Sequence, residues 1–414
     1  MRSITWWTYK FFILILMMTS FHAWMFWPWV DNVFFWIGAF VVSVVFVLIN
    51  GKCYSFSKAR RSIVWFIVLQ VALLFNQGDL NFNGLLGIMI PTWAVFSVIT
   101  LKDELKNDLF DTVYKSLAII LSISLVAWVL FIAGVQFPYT MEAYGVDDLY
   151  YFQNYRLFLR NTTMGSLLVF RFCSIFLEPG YLGCMVSLIL YIRRYKMDFY
   201  GLVLLLSLFA TFSLAGWILS LVGFLSIQLF NTRKPILILG IYILVFLSIW
   251  SGAKSFNGGD NVVNTLFFER LEYDEAMGTI SGYDRSTEQT NDWFWSTFIK
   301  SPDILFGSSS DANNLMINDN DWKAYVVKHG IVGLSLFLLF AFYPFLSVRG
   351  RRKVARREVF FLSVLYVLVF AQTIHMIFSD MYVILLILGD SIIRTNSASG
   401  ITSFNTAKKL IYNS

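Results

Sequence analysis

Residues with chemically useful side chains fall in four places along this chain. In the first, Arg171-Phe172-Cys173-Ser174-Ile175-Phe176-Leu177-Glu178-Pro179-Gly180, Arg171 and Glu178 are seven residues apart. If the residues before Pro179 are helical, the two side chains share a face and either pair or line a cavity together. Charge at membrane depth is expensive, so such residues face the interior of a bundle. The competing reading is an interfacial ion pair that anchors a helix end. Pro179-Gly180 then breaks the helix, freeing backbone groups that only a cavity or neighbouring protein can satisfy.

The second place is Gly282-Tyr283-Asp284-Arg285-Ser286-Thr287-Glu288-Gln289, followed by Trp293, Phe294, Trp295 and Phe298. Asp284 is a suitable N-cap, and the aromatics recur at helical spacing, so the segment reads as an amphipathic helix on a membrane surface. Arg285 in its first turn offers a pyrophosphate site, because the guanidinium fork binds phosphate oxygens bidentately beside free backbone N–H groups. The plainer reading is an Arg bound to lipid headgroups.

The third is Asp319-Asn320-Asp321-Trp322, ahead of His329-Gly330-Ile331-Val332-Gly333. A carboxylate here, with its pKa raised by partial burial, is a candidate general base; a solvated loop acid is the alternative. The fourth is Arg156 and Arg160 at i, i+4 beside Tyr150, Tyr151 and Tyr155. These cations with neighbouring rings offer stacking faces for sugars, and serve equally as interfacial anchors.

The elements that must position these groups are apolar. The 414 residues are 57% hydrophobic and 14% charged, with 42 Phe, against about 25% charged in soluble domains. Mean hydropathy is +0.66. A soluble globule is excluded, and one membrane domain over residues 1–414 is expected, because apolar runs recur from end to end. The first run is expected to be a retained helix rather than a signal peptide, since it passes through Trp24, Trp27 and Trp29 without a small-residue cleavage site.

Apolar runs predict about twelve spans, near 11–29, 33–50, 63–75, 84–101, 115–135, 166–192, 199–213, 216–230, 236–251, 330–347, 359–377 and 381–393. The stretch 199–230 is read as two short helices joined by a tight turn at Ser213-Leu214-Ala215-Gly216. Basic clusters at Lys52 to Arg61, Lys102 and Lys106, Arg193 to Lys196, Arg233-Lys234 and Arg349 to Arg357 all fall on one side of this arrangement. That side is cytoplasmic by the positive-inside rule, and both termini join it. The net charge of +6 is therefore a topology signal and implies no nucleic-acid partner.

Two longer loops, 136–165 and 252–328, fall outside; the second has twelve Asp or Glu against six Lys or Arg. The three cysteines Cys53, Cys173 and Cys184 suggest no disulfide framework, and the three scattered histidines suggest no metal site.

The run RFCSIFLEPGYLG (171–183) resembles the Arg-to-Phe-Glu-Pro-Gly signature of the Wzy-type O-antigen and exopolysaccharide polymerase family. TFSLAGWILSLVG (211–223) is similar to its Thr-x-Ser-x-x-Gly helix. GYDRSTEQTNDWFWSTFIKSPDILFG (282–307) and NDNDWKAYVVKHGIVGL (318–334) resemble its large outer loop and the Gly-Ile-x-Gly entry to the next helix. With the hydropathy profile, the resemblance spans roughly 84–378. It implies an all-α, polytopic glycosyltransferase of the C-type (GT-C-like) membrane fold in the bacterial inner membrane. No cofactor or metal is implied, and the substrates are undecaprenyl-pyrophosphate-linked glycans. Surrounding lipid and a chain-length regulator protein are the other implied partners.

Carried over by position, Arg171 and Arg285 hold the substrate pyrophosphate, and Asp319 or Glu178 is the catalytic carboxylate. Ligases of the same superfamily usually have His where this chain has Asp319, and often Arg near Leu214. A transporter or flippase would have more polar residues in its span centres.

Overall fold

A computed structural model of the chain describes residues 3–30, 33–49, 54, 56–74, 92–144, 150–162, 171–232, 234–261, 263–274, 279–280, 288–308, 322–348, 353–372 and 381–398. Its helices are α1 (Ser3–Ser20), α2 (Val33–Ile49), α3 (Phe56–Leu74), α4 (92–100), α5 (Asp103–Ile132) and α6 (Pro179–Ile192). They continue with α7 (Phe199–Ala210), α8 (Leu214–Asn231), α9 (Pro235–Ser255), α10 (Glu288–Ser296), α11 (Trp322–Ser347), α12 (Lys353–Gln372) and α13 (Met381–Ala398).

Among the described residues three helices, α5, α9 and α11, are by length and composition long and apolar enough to cross a membrane, and α6, α7 and α8 are shorter apolar helices. On α9, Ile236, Leu237, Leu244, Ile249 and Trp250 are all exposed. A helix apolar on every side and unburied by protein belongs in lipid. The protein is mostly helical and membrane-embedded.

Local chemistry accounts for the helix starts. Asp198 caps α7 by accepting the Gly201 N–H at 2.9 Å, and Ser213 caps α8 by accepting the Gly216 N–H at 3.2 Å. The expected division of 199–230 into two short helices holds, with Phe212 at φ 46 in the turn between them. The expected span 166–192 does not. Residues 171–178 are irregular, and the helix begins at Pro179, in the N1 position where a missing N–H costs nothing.

At the centre lies α6, buried from Leu182 to Ile192. It crosses α8 so closely that a Cβ on Gly216 would stand 2.8 Å from Gly183 Cα. Ser187 Oγ bridges the crossing, 2.7 Å from the carbonyl oxygens of both Gly183 and Gly216. Small residues and a shared hydroxyl are what allow such an approach in an apolar bundle.

One end of the bundle is held by ion pairs. Lys10 meets Asp108 at 3.1 Å, Arg194 Nη2 reaches both Glu358 oxygens at 2.7 and 2.6 Å, and Arg394 binds Asp390 at 2.6 Å. Arg193 lies 3.7 Å from Asp198 and over the Tyr114 ring at 4.5 Å. Burial pushes the Asp198 carboxyl up, but hydrogen bonds from Tyr114, the Gly201 N–H and Lys196 outweigh it and hold the group below its ordinary value.

The opposite end carries two small sheets beside a body that is helical as expected. Strands β1 (Thr140–Tyr144), β2 (Tyr150–Asn154) and β3 (Leu159–Asn161) form an antiparallel sheet in that order, with Ala143 opposite Tyr151 and Gln153 opposite Arg160. Aromatic and alternating residues favour strands here. Phe152 is buried against Cys173, Leu177 and Trp27, while Tyr151 faces out. A two-stranded ribbon, β4 (Tyr273–Asp274) and β5 (Thr279–Ile280), lies in the later loop.

Candidate functional site

The irregular segment 171–178 is the floor of the loop-bearing end, and backbone bonds from three directions hold it there. Phe172 N donates to Ala210 O at 3.0 Å, Leu159 N to Ser174 O at 2.8 Å, and Trp24 N to Ile175 O at 3.0 Å. Ser174, at φ 53, turns the chain, and its hydroxyl donates to Ser124 Oγ at 2.8 Å. Arg171 Nε donates to Thr211 O at 3.1 Å. Its two terminal nitrogens hydrogen-bond none of the described residues.

Arg171 and Glu178 do not share a helical face, because residues 171–178 are irregular. The correction has a local cause: Pro179 starts α6 instead of interrupting it, which leaves the residues before it free to wrap around the α7–α8 turn. Glu178 is the N-cap residue, extended at φ −136 and ψ 144, and its side chain makes no capping bond. A Cβ at Gly180 would meet nothing within 4 Å, so the first turn of α6 opens onto space.

After α9 the chain folds back over this floor. Phe267 lies 4.3 Å from Trp217 and Phe268 lies 5.9 Å from Phe246. Phe267, Phe268 and Ala253 form a buried cluster with Phe212, Leu214 and Trp217. This docking holds Arg270, half-buried, in the 269–271 turn that follows the apolar pair. Sequence reasoning missed Arg270. The available signal was a basic residue two positions after an apolar pair, Phe267-Phe268, with Glu269 between, in a loop dominated by acids.

Arg285 and Asp319 lie outside the described residues, as does Asp284. Helix α10 is present, but its apolar face is turned to protein. Phe294 and Phe298 are buried with Val326 and Val327, and Phe294 lies 5.6 Å from Trp322. Trp295 stays exposed. The expectation of a helix resting on the membrane surface is corrected to that extent, because the α11 entry supplies a closer apolar partner.

That entry is kinked at Gly330, whose φ of 66 and ψ of −177 few side chains tolerate. A Cβ there would come 2.3 Å from Leu305 O, and one on Gly307 would come 2.4 Å from Lys328 O. The two glycines let the 302–308 loop join the helix, with Ser308 N bonded to Val327 O at 2.8 Å and Val332 N to Leu305 O at 3.1 Å.

On the three-stranded sheet, Arg156 is exposed in a left-handed turn at φ 65, and Arg160 is on β3 with Nη1 donating to Gln153 Oε1 at 3.0 Å. Tyr155 is 8% exposed, stacked on Phe158 at 4.6 Å, and donates to Gln153 Oε1 at 2.9 Å. Its ring is therefore not a stacking face for a sugar, contrary to expectation. Tyr151, at 48% exposed, still offers one. Arg156 and Arg160 are separated by the turn and strand and share no helical face.

What this end offers chemically is anion binding: the two terminal nitrogens of Arg171 bond none of the described residues, and the first turn of α6 opens onto space. No protein-family model, curated protein or solved structure matches the chain.

Proposed function

We propose that this chain is a Wzy-type polymerase of the bacterial inner membrane, joining undecaprenyl-pyrophosphate-linked repeat units into O-antigen, capsule or exopolysaccharide. The observation that carries the reading is the meeting of the two motif segments, 171–183 and 211–223, in one packed unit. Arg171 bonds to Thr211, and Gly183 lies against Ser213 and Gly216.

In this reading about twelve spans place both termini in the cytoplasm and the 136–165 and 252–328 loops on the periplasmic face. The growing chain on its lipid carrier is the donor, and a single repeat unit is the acceptor. An acceptor hydroxyl oxygen bonds to the donor anomeric carbon as that carbon's bond to pyrophosphate breaks. The pyrophosphate leaves with the electron pair, stabilised by Arg171 and Arg285. Asp319 or Glu178 takes the hydroxyl proton, and attack opposite the leaving group inverts the centre. Tyr151 on β2, Arg156 in the turn after it and Arg160 on β3 bind the glycan.

A surface-polysaccharide gel of a deletion strain tests this. Single capped units are expected. Lipid-linked polymer that never reaches the surface would make the chain a ligase instead, and units trapped inside would make it a flippase.

A further inference from the structure

Leu305 and Phe306, adjacent in the 302–308 loop, are large apolar side chains 51% and 55% exposed. Their height along α11 is fixed by backbone contacts. Leu305 O accepts the Val332 N–H at 3.1 Å, and the Leu305–Phe306 peptide is what a Cβ on Gly330 would strike. The chain then runs back toward the start of α11: Gly307 lies against Lys328 O, and Ser308 N bonds to Val327 O at 2.8 Å. Gly307 N also donates to Asp303 O at 2.6 Å, which holds that exposed acid on the Lys328 side.

Where the membrane surface crosses α11 follows from its sequence. Residues 330–347 hold no charged side chain, while Lys323 and Lys328 precede them and Arg349 follows. At about 1.5 Å per residue the run is about 27 Å long, close to the roughly 30 Å of a hydrocarbon core. All of it is needed to cross, so Gly330 sits at the water–lipid boundary. Ile331, the next residue, is 44% exposed, and Leu339 and Leu346 continue the exposed apolar flank along the span.

We propose that the 302–308 loop is a membrane anchor: Leu305 and Phe306 enter the acyl-chain edge of the leaflet beside Ile331, while Asp303 and Lys328 stay among the headgroups. The occupant of this face is lipid, because the face is level with the first residues of the span and continues its apolar flank. Ile304 and Phe298 tie the loop to the cluster of Phe294, Val326 and Val327, so the anchor also sets the height of α10 above the leaflet. The inference goes beyond the glycosyl-transfer reading and does not depend on it.

The test uses the full chain with Cys53→Ser, in which Cys173 and Cys184 are buried. One new cysteine is added at a time, Leu305→Cys, Ile331→Cys or Asp303→Cys, all at exposed positions. Each is labelled with a fluorophore and placed in phosphatidylcholine nanodiscs, and quenching is compared between lipids spin-labelled high on the acyl chain and aqueous iodide. The labels at 305 and 331 should be quenched several times more strongly by the lipid probe than by iodide, and the label at 303 should show the reverse. Phe306→Cys supplies the same reading if Leu305→Cys fails to insert. A 305 label that behaves like the one at 303 would overturn the anchor. So would a 305 label shielded from both quenchers, which would mean that protein such as a second copy covers the face. Strong iodide quenching at 331 would place the boundary further along α11 and overturn it as well.

Discussion

Gly183 of α6 and Gly216 of α8 touch backbone to backbone, with Ser213 closing over Gly183: a Cβ on Gly183 would lie 2.9 Å from Ser213 Cβ, and one on Gly216 would lie 2.8 Å from Gly183 Cα. The contact fixes the distance between the segment bearing Glu178 and the one bearing Thr211. Gly216→Ala pushes backbone against backbone and should cost about 1–3 kcal/mol, the usual range for overpacking. Gly240→Ala on α9, where a Cβ meets nothing within 4 Å, is the control. Thermal unfolding in detergent should show a lower midpoint for the first variant and an unchanged or slightly higher one for the second. Equal midpoints would mean that the crossing is looser than described.

Gly330 joins a left-handed backbone to a close contact with Leu305 O at 2.3 Å from a hypothetical Cβ. Gly330→Ala should destabilise by about 1–3 kcal/mol through strain and detach the 302–308 loop from α11. A cysteine placed at Ser308 should then react with a membrane-impermeant maleimide several times faster. Unchanged labelling argues that the loop is held elsewhere.

The catalytic assignment separates by variant. Asp319→Asn should preserve acceptor binding and slow polymerisation of purified lipid-linked units at least about a hundredfold, the low end for general-base catalysis. Glu178→Gln should mainly weaken substrate retention. Near-normal turnover by Asp319→Asn transfers the base role to Glu178 or to no side chain. Arg285→Lys should lose most activity although charge is kept, because a point charge lacks the bidentate fork.

Asp198 makes stability pH-dependent. Its carboxyl is held below the ordinary value of 3.8 in the folded protein. The stabilisation is therefore complete above that ordinary value and is lost as pH falls through the lower folded value. Asp198→Asn keeps a capping oxygen but removes the charge. The stability gap between wild type and variant should be constant near neutrality and shrink in acid below about pH 4. A gap that widens on acidification would contradict the sign.

Topology is checked by reporter fusions. Tags after Gly258 or Asn313 should report outside, and tags within Arg349 to Arg357 or after Asn405 inside. A cytoplasmic 252–328 loop would end the outer-face chemistry.

Membrane embedding, the helical class and the division of 199–230 were legible in the sequence because each depends on a local sum. A run of apolar side chains sets its preference for lipid wherever the rest of the chain goes, and Ser213 caps the helix that follows it. The 171–180 segment was legible as a site but not in its conformation, since Pro179 either ends or begins a helix and composition does not say which. The sheet was hidden for a related reason: Phe152 and Leu159 become strand residues only when Cys173, Leu177 and Trp27 cover one face.

The placement of Arg171 on Thr211, and of Phe267 and Phe268 on the α7–α8 turn, was decided by tertiary structure alone. It requires the Gly183–Gly216 crossing to set one distance and the Phe267–Trp217 stacking to set another. Both are contacts between residues remote in the chain, whose strength depends on shape fit at sub-ångström scale. Hydropathy, which adds residue by residue, is blind to such fit.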